Sequence, residues 1–176
     1  MRSGLVLAVA VLLLPGYAHA KGAVERAFRG RVVITEKRPP EKFRSDGAFI
    51  RFLRANRKEH LWPDKKNKKQ WKFEFMAFFK RPLDDLECQI KFFDITEGKK
   101  FIAGDTFYTA SKGQSILASN MVLESARFSV NRKYLMQVLT PRNVLLSNTT
   151  FWLRGQKEVY SGRVTFSDEE TRVKDD

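Results

Sequence analysis

His60 and Cys88, 28 positions apart, are the residues best suited to nucleophilic chemistry downstream of the apolar start of this chain. A thiol or hydroxyl nucleophile needs a base within hydrogen-bond reach, most often a histidine. His60 stands in a strongly charged segment. Cys88 sits in Leu86-Glu87-Cys88-Gln89-Ile90, where apolar and polar residues alternate. No Gly-x-Ser-x-Gly elbow accompanies either residue. His60 therefore reads as a surface histidine and Cys88 as a small core residue. One cysteine and one histidine are too few for a transition-metal site. Asp84, Asp85 and Glu87 form a compact acidic group, but beside Arg81 and Pro82 they read as a solvated turn, not a calcium loop. Glu74, Glu87 and Glu124 offer carboxylates to a glycosidase, with nothing in their spacing to single out an acid–base pair. No Walker or dinucleotide glycine pattern is present. The expectation is a non-enzymatic protein with no catalytic residue, no cofactor and no metal; a carboxylate-based glycan hydrolase is the least favoured reading.

Binding chemistry is better represented. Arg51, Arg54, Arg57, Lys58, Lys65, Lys66, Lys68 and Lys69 are interleaved with Trp62 and Trp71. Residues 21–72 carry 17 basic and 6 acidic residues, a net of +11, against 15 and 14 in residues 73–176. Nearly all of the excess charge thus falls in the first third of the domain, as expected of a face that meets something acidic. In a cytosolic protein such a stretch would suggest nucleic acid. Outside the cytoplasm the anions on offer are acidic protein surfaces, acidic glycans and lipid headgroups.

The N-terminus predicts a chain exported from the cytoplasm. Arg2 is followed by an unbroken apolar run from Leu5 to Leu14, then by Pro15-Gly16 and Ala18-His19-Ala20. That is the layout of a cleavable secretory signal, with small residues at −3 and −1. Ten apolar residues reach only about 15 Å as a helix, half of a membrane core. The expected organisation is a signal peptide over 1–20, one domain over 21–167 and an acidic tail over 168–176. A periplasmic location is favoured over an extracellular one, with no membrane span in the mature chain and no nucleic-acid partner. Asn148-Thr149-Thr150 is a glycosylation triplet if the source is eukaryotic.

The elements that must position these residues are mostly strands. Residues 28–36 are β-branched and stop at Arg38-Pro39-Pro40; 37–47 read as a loop; 48–54 are a strand or a short helical turn. Residues 56–70 are too polar for a core and read as a long exposed loop. In 71–80, Trp71, Phe73, Phe75, Ala77 and Phe79 share one face, and the other face is partly apolar, the pattern of a central strand covered on both sides over part of its length. Arg81 to Asp85 turn the chain, and 86–95 return with Leu86, Cys88, Ile90 and Phe92 on one face. Thr96-Glu97-Gly98-Lys99 makes a hairpin into 100–109, with a turn or bulge at Gly104-Asp105. A loop over 110–119 precedes strands over 120–130 and 132–140. Pro141-Arg142-Asn143 then turns into Val144-Leu145-Leu146, and the apolar stretches Phe151-Trp152-Leu153 and Val159 to Phe166 follow.

Eight or nine short strands with Gly, Pro and Asn between them predict an all-β, antiparallel β-sandwich. Tyr134 to Leu153, a Tyr-led strand, a Pro-Arg-Asn turn and an apolar strand ending in Trp-Leu-Arg, resembles the closing hairpin of immunoglobulin-like and fibronectin-III-like domains. The resemblance covers about twenty residues and lacks the Cys…Trp…Cys spacing of true immunoglobulin domains. It implies the fold and carries no function. The functional expectation is an exported binding or adaptor domain, a soluble part of an envelope assembly for motility, secretion or transport. Binding of anionic glycan or lipid through 51–72 is the alternative.

Overall fold

The computed structural model describes residues 22–40 and 42–155. The signal segment, the Val159–Phe166 stretch and the acidic tail lie outside them. The elements run α1 (Ala23–Phe28), β1 (Val32–Thr35), α2 (Asp46–Asn56), β2 (His60–Leu61), β3 (Gln70–Leu83), β4 (Glu87–Asp94), β5 (Lys100–Tyr108), β6 (Gln114–Glu124), β7 (Arg132–Leu139) and β8 (Leu145–Leu153). They form a mainly β structure of two sheets, one ordered β1-β3-β6 and the other β2-β8-β7-β4-β5. All strand pairs are antiparallel except β2 with β8.

β3 organises the core, because its period-two pattern is apolar on both faces. Phe73, Phe75, Ala77 and Phe79 enter the main cluster, with Cys88, Ile90, Phe92, Tyr134, Met136, Val138 and Phe151 of the larger sheet. Phe75 meets Phe107 edge-on at 6.0 Å between ring centroids, and Phe73 meets Phe151 at 5.9 Å. Met76 and Phe78 point the other way, into a second cluster with Val24, Phe28, Phe49 and Leu53 of the two helices. The two-sided burial expected of this strand is therefore real, and helices supply the second layer.

Those helices correct the all-β expectation. α2 occupies the ambiguous 48–54 stretch and also takes in Asp46-Gly47, read above as loop. Ser45 caps it, its Oγ accepting from the Ala48 N–H at 3.2 Å, and Phe49 and Leu53 at i and i+4 face the sheet. α1 is a single apolar pair, Val24 and Phe28, with Phe28 stacked on Phe78 at 5.1 Å. It takes the start of the expected first strand, which begins only at Val32.

Smaller corrections follow from register. β3 continues through Arg81 and Pro82 to Leu83, so the turn begins three residues later and Leu86 is exposed, not in the core. β6 starts at Gln114, inside the expected 110–119 loop, because Gln114 and Ile116 to Ser119 pair with β3. The irregularity in β5 falls at Ile102, between the pairs Phe92↔Ala103 and Phe93↔Phe101, not at Gly104-Asp105. Gly98 does adopt a positive φ of 122° in the hairpin, and Asn143 a φ of 61° in the turn before β8.

One lateral edge is stitched by backbone bonds between the sheets. Asn148 N–H donates to Gly30 C=O at 3.1 Å and Lys58 N–H to Ile34 C=O at 2.8 Å, while Trp152 N–H, donating to Glu59 C=O at 2.7 Å, ties the same segment to β8. Gly30 has φ 75°, and a Cβ there would lie 2.8 Å from the Lys80 side chain. Strand direction also gathers one set of loops at one pole. Ser125 N–H donates to Lys69 C=O at 2.9 Å, Ile95 N–H to Lys133 C=O at 2.8 Å and Asn131 N–H to Leu153 C=O at 2.6 Å. The 62–69 loop, the β4–β5 hairpin, the β6–β7 turn and Arg154 thus share that pole.

Candidate functional site

The 62–69 loop is highly charged, yet its conformation is specified locally. Asp64 and Asn67 each close an Asx turn: Asp64 Oδ1 accepts from Lys66 N–H at 3.2 Å and Asn67 Oδ1 from Lys69 N–H at 3.1 Å. Asp64 N–H donates to Gln70 C=O at 2.7 Å and Gln70 N–H to Asn67 C=O at 3.0 Å, which fastens the loop to the start of β3. At its other end β2 pins it to β8, with Leu61 fully buried. A segment expected to contribute nothing to the core is anchored by that one leucine.

The loop overhangs a groove of about 740 Å³ lined by Glu36, Leu61, Trp62, Pro63, Asp64, Lys65, Lys68 and Lys72. Its two acids are already engaged. Lys72 Nζ lies 2.5 Å from Asp64 Oδ2, and Lys58 Nζ lies 3.6 Å from Glu36 Oε2. The Lys72 hydrogen bond, followed by the Lys66 N–H, holds the Asp64 carboxyl below the usual carboxylate range. Lys65, Lys66, Lys68 and Lys69 are exposed and form no ion pair among the described residues, although the Lys66 charge acts on Asp64. Trp62 stands at the rim, 40% exposed.

The ten residues expected to form a binding surface therefore divide. Trp62, Lys65 and Lys68 line the groove, with Lys66 and Lys69 on the same loop and Lys58 at the Glu36 wall. Arg51 and Arg54 are on the exposed face of α2, outside the groove lining, and Arg57 pairs with Glu59 at 2.9 Å. Trp71 is a correction. It is 1% exposed, and its indole N–H donates to the Arg154 C=O at 3.0 Å, so it is a core residue that closes the pole from beneath. Alternation alone had placed it on the face of Phe73 and Phe75, which was the signal for burial. Lys72, on the opposite face of β3, completes the groove; the same alternation exposes it beside the loop.

The remaining reactive candidates are separated. Burial pushes the Cys88 thiol up to about 12, with Glu87 adding to the effect, and the side chain is enclosed in the core. His60 is at the surface, where its Nδ1 accepts from the Arg154 guanidinium at 3.0 Å. Burial raises the Glu74 carboxyl, opposed by Arg38, while Glu124 accepts from Gln70 Nε2 at 3.1 Å. A polar hollow beside the β4–β5 hairpin brings Lys99, Lys100, Arg127 and Arg132 to the same pole. There Arg132 is held between Asp94 at 3.4 Å and Glu97 at 3.5 Å.

No known protein-family model matches the chain, and no curated protein matches it.

Proposed function

We propose that this chain is an exported, non-enzymatic binding module whose basic pole docks an acidic protein surface. The observation that carries this reading is the groove under the 62–69 loop. Its own acids are neutralised internally, whereas four lysines on the same loop form no ion pair among the described residues. Prior ordering by two Asx turns lowers the conformational entropy lost on binding. The half-exposed Trp62 beside them supplies the kind of amphipathic anchor found at the centre of protein interfaces. A protein partner is favoured over lipid or glycan because charge and an aromatic anchor are concentrated in one concave site. The structural class we assign is immunoglobulin-like, close to fibronectin III. The three-plus-five strand order supports it, as does Tyr134, at the start of β7, whose hydroxyl bonds the Ser129 backbone five residues upstream.

The test is binding to defined probes: immobilised polyglutamate, heparin and vesicles rich in anionic lipid. The expected result is polyglutamate binding that weakens steeply as salt rises. Binding should fall at least tenfold when Lys65, Lys66, Lys68 and Lys69 are changed to Gln, and fall again with Trp62→Ala. Equal binding by wild type and the quadruple variant, with the fold intact, would refute the assignment. Preference for heparin or vesicles over polyglutamate would replace the protein partner with a glycan or a lipid surface.

A further inference from the structure

We infer that β6 is a self-association edge, pairing antiparallel with β6 of a second copy to join the two three-stranded sheets into one six-stranded sheet. β6 is eleven residues long, Gln114–Glu124, with no proline, no lysine or arginine and no charge before Glu124. Its register with β3 runs unbroken from Gln70↔Glu124 to Phe78↔Ile116. Among the described residues its other side pairs with no strand. Sheet edges in natural proteins are ordinarily blunted by charge, proline, bulges or a cover. Here the opposite lateral edge is stitched shut, and β5, the edge of the larger sheet, carries Lys100, Asp105 and an irregularity at Ile102. Among the described residues, β6 from Ser115 to Leu123 carries no charge, no proline and no covering strand.

The hydrogen-bond pattern fixes which groups are on offer. Phe78 directs both its N–H and its C=O to Gly30 and Arg31, on the β1 side. Its partner Ile116 therefore directs both groups outward, and by alternation so do Ala118, Asn120 and Val122. Two of these carbonyls are covered only from within the strand, Ile116 by the Gln114 amide and Asn120 by the Ser119 hydroxyl at 3.4 Å. A two-fold axis at Ser119 pairs outward-directed residues with one another, as an isologous contact requires. Ile116 then opposes Val122 of the second copy, Ala118 opposes Asn120, and Gln114 opposes Glu124. On the inner face Leu117 meets Met121 and Ser119 meets its own equivalent.

The occupant follows from charge. The chain carries 33 Lys and Arg against 20 Asp and Glu, so most self-contacts would set like charges together. The β6 register sets none opposite another. It also leaves the basic groove of each copy uncovered, since that groove lies on the β2–β3 side of the pole.

Sedimentation velocity of the purified full chain across a hundredfold concentration range tests this. The expected result is a monomer–dimer equilibrium with mass doubling at high concentration. Of the strand's hydrogen-bonding groups Asn120→Pro removes only an outward-directed N–H, and it should abolish the dimer; Asn120→Lys, a gatekeeper charge on the same exposed residue, should weaken it at least tenfold. Ser119→Cys should form a disulfide-linked dimer on mild oxidation, because equivalent residues at the axis lie within disulfide range. Ser115→Cys, which faces Leu123 instead of itself, should not. A monomer at every concentration, or dimers unaffected by both Asn120 changes and not trapped by Ser119→Cys, would overturn the inference. A dimer appearing only after removal of residues 156–176 would overturn it too, by assigning the edge in the full chain to that segment.

Discussion

Changing Tyr134 to Phe isolates the contribution of one hydroxyl at the corner where the β6–β7 turn enters the larger sheet. The ring is 1% exposed and packed against Phe128 at 5.3 Å and Phe151 at 6.0 Å between centroids, contacts that phenylalanine retains. What is lost is a pair of hydrogen bonds: the hydroxyl accepts from Ser129 N–H at 2.8 Å and donates to Ser129 C=O at 3.2 Å. Neutral bonds of this kind contribute about 0.5–1.5 kcal/mol each. Ser129 is exposed, so its backbone groups regain water when the hydroxyl is gone, and the buried-orphan penalty does not apply. The expected loss is therefore about 1–3 kcal/mol, or roughly 2–12 °C in Tm for a domain of this size. Burial raises the Tyr134 pKa, with smaller effects from Ser129, Asp94 and Arg132. A raised acid pKa means that the native state keeps its proton after the unfolded state has lost it. Its contribution is complete below the unfolded tyrosine value of about 10 and is lost as pH rises through the folded value. Urea unfolding at pH 7 and pH 11 measures both effects. The wild type should lose more stability between these pH values than the variant does. A Tyr134→Phe change that costs under about 0.3 kcal/mol, or that leaves the alkaline loss unchanged, would refute this account of the corner.

Other outcomes follow from the core. Phe75→Ala should cost about 3–5 kcal/mol in urea unfolding, because the ring fills the space between the sheets and its Phe107 contact cannot be replaced. Phe73→Ala and Phe79→Ala should fall in the same range, and near-neutral values for all three would mean that β3 faces the other way. Cys88, buried with its thiol pushed up to about 12, should react with a thiol reagent at pH 8 at least a hundredfold slower in native protein than in urea. Comparable rates would place it at the surface.

The strand calculus of the sequence was strongest where burial is decided by alternation within one segment. The 71–80 pattern determined both faces of β3, and 88–92 and 134–138 determined the inner faces of β4 and β7, because a period of two fixes direction once a strand exists. Gly98 and Asn143 marked their turns through the backbone conformations they adopt readily. The basic loop and its lysines were legible as a run, and Asp64 and Asn67, which order it, were in plain view. Tertiary structure decided what depends on contacts between distant segments. α1 exists because Val24 and Phe28 have Phe78 to rest on; six residues alone do not sustain a helix. The same sheet face settled the strand-or-helix ambiguity of 48–54 in favour of α2. Residues 114–119 became strand because β3 pairs with Gln114 and with Ile116 to Ser119. Trp71, counted among the charges by its neighbours in sequence, lies on the buried face that alternation gave it, and tertiary structure supplied the Arg154 carbonyl that its indole N–H needs there. The groove was likewise invisible in one dimension. Its walls are Glu36, the 62–69 loop and Lys72, and only the pairing of β1 with β3 and of β2 with β8 sets them around a common space.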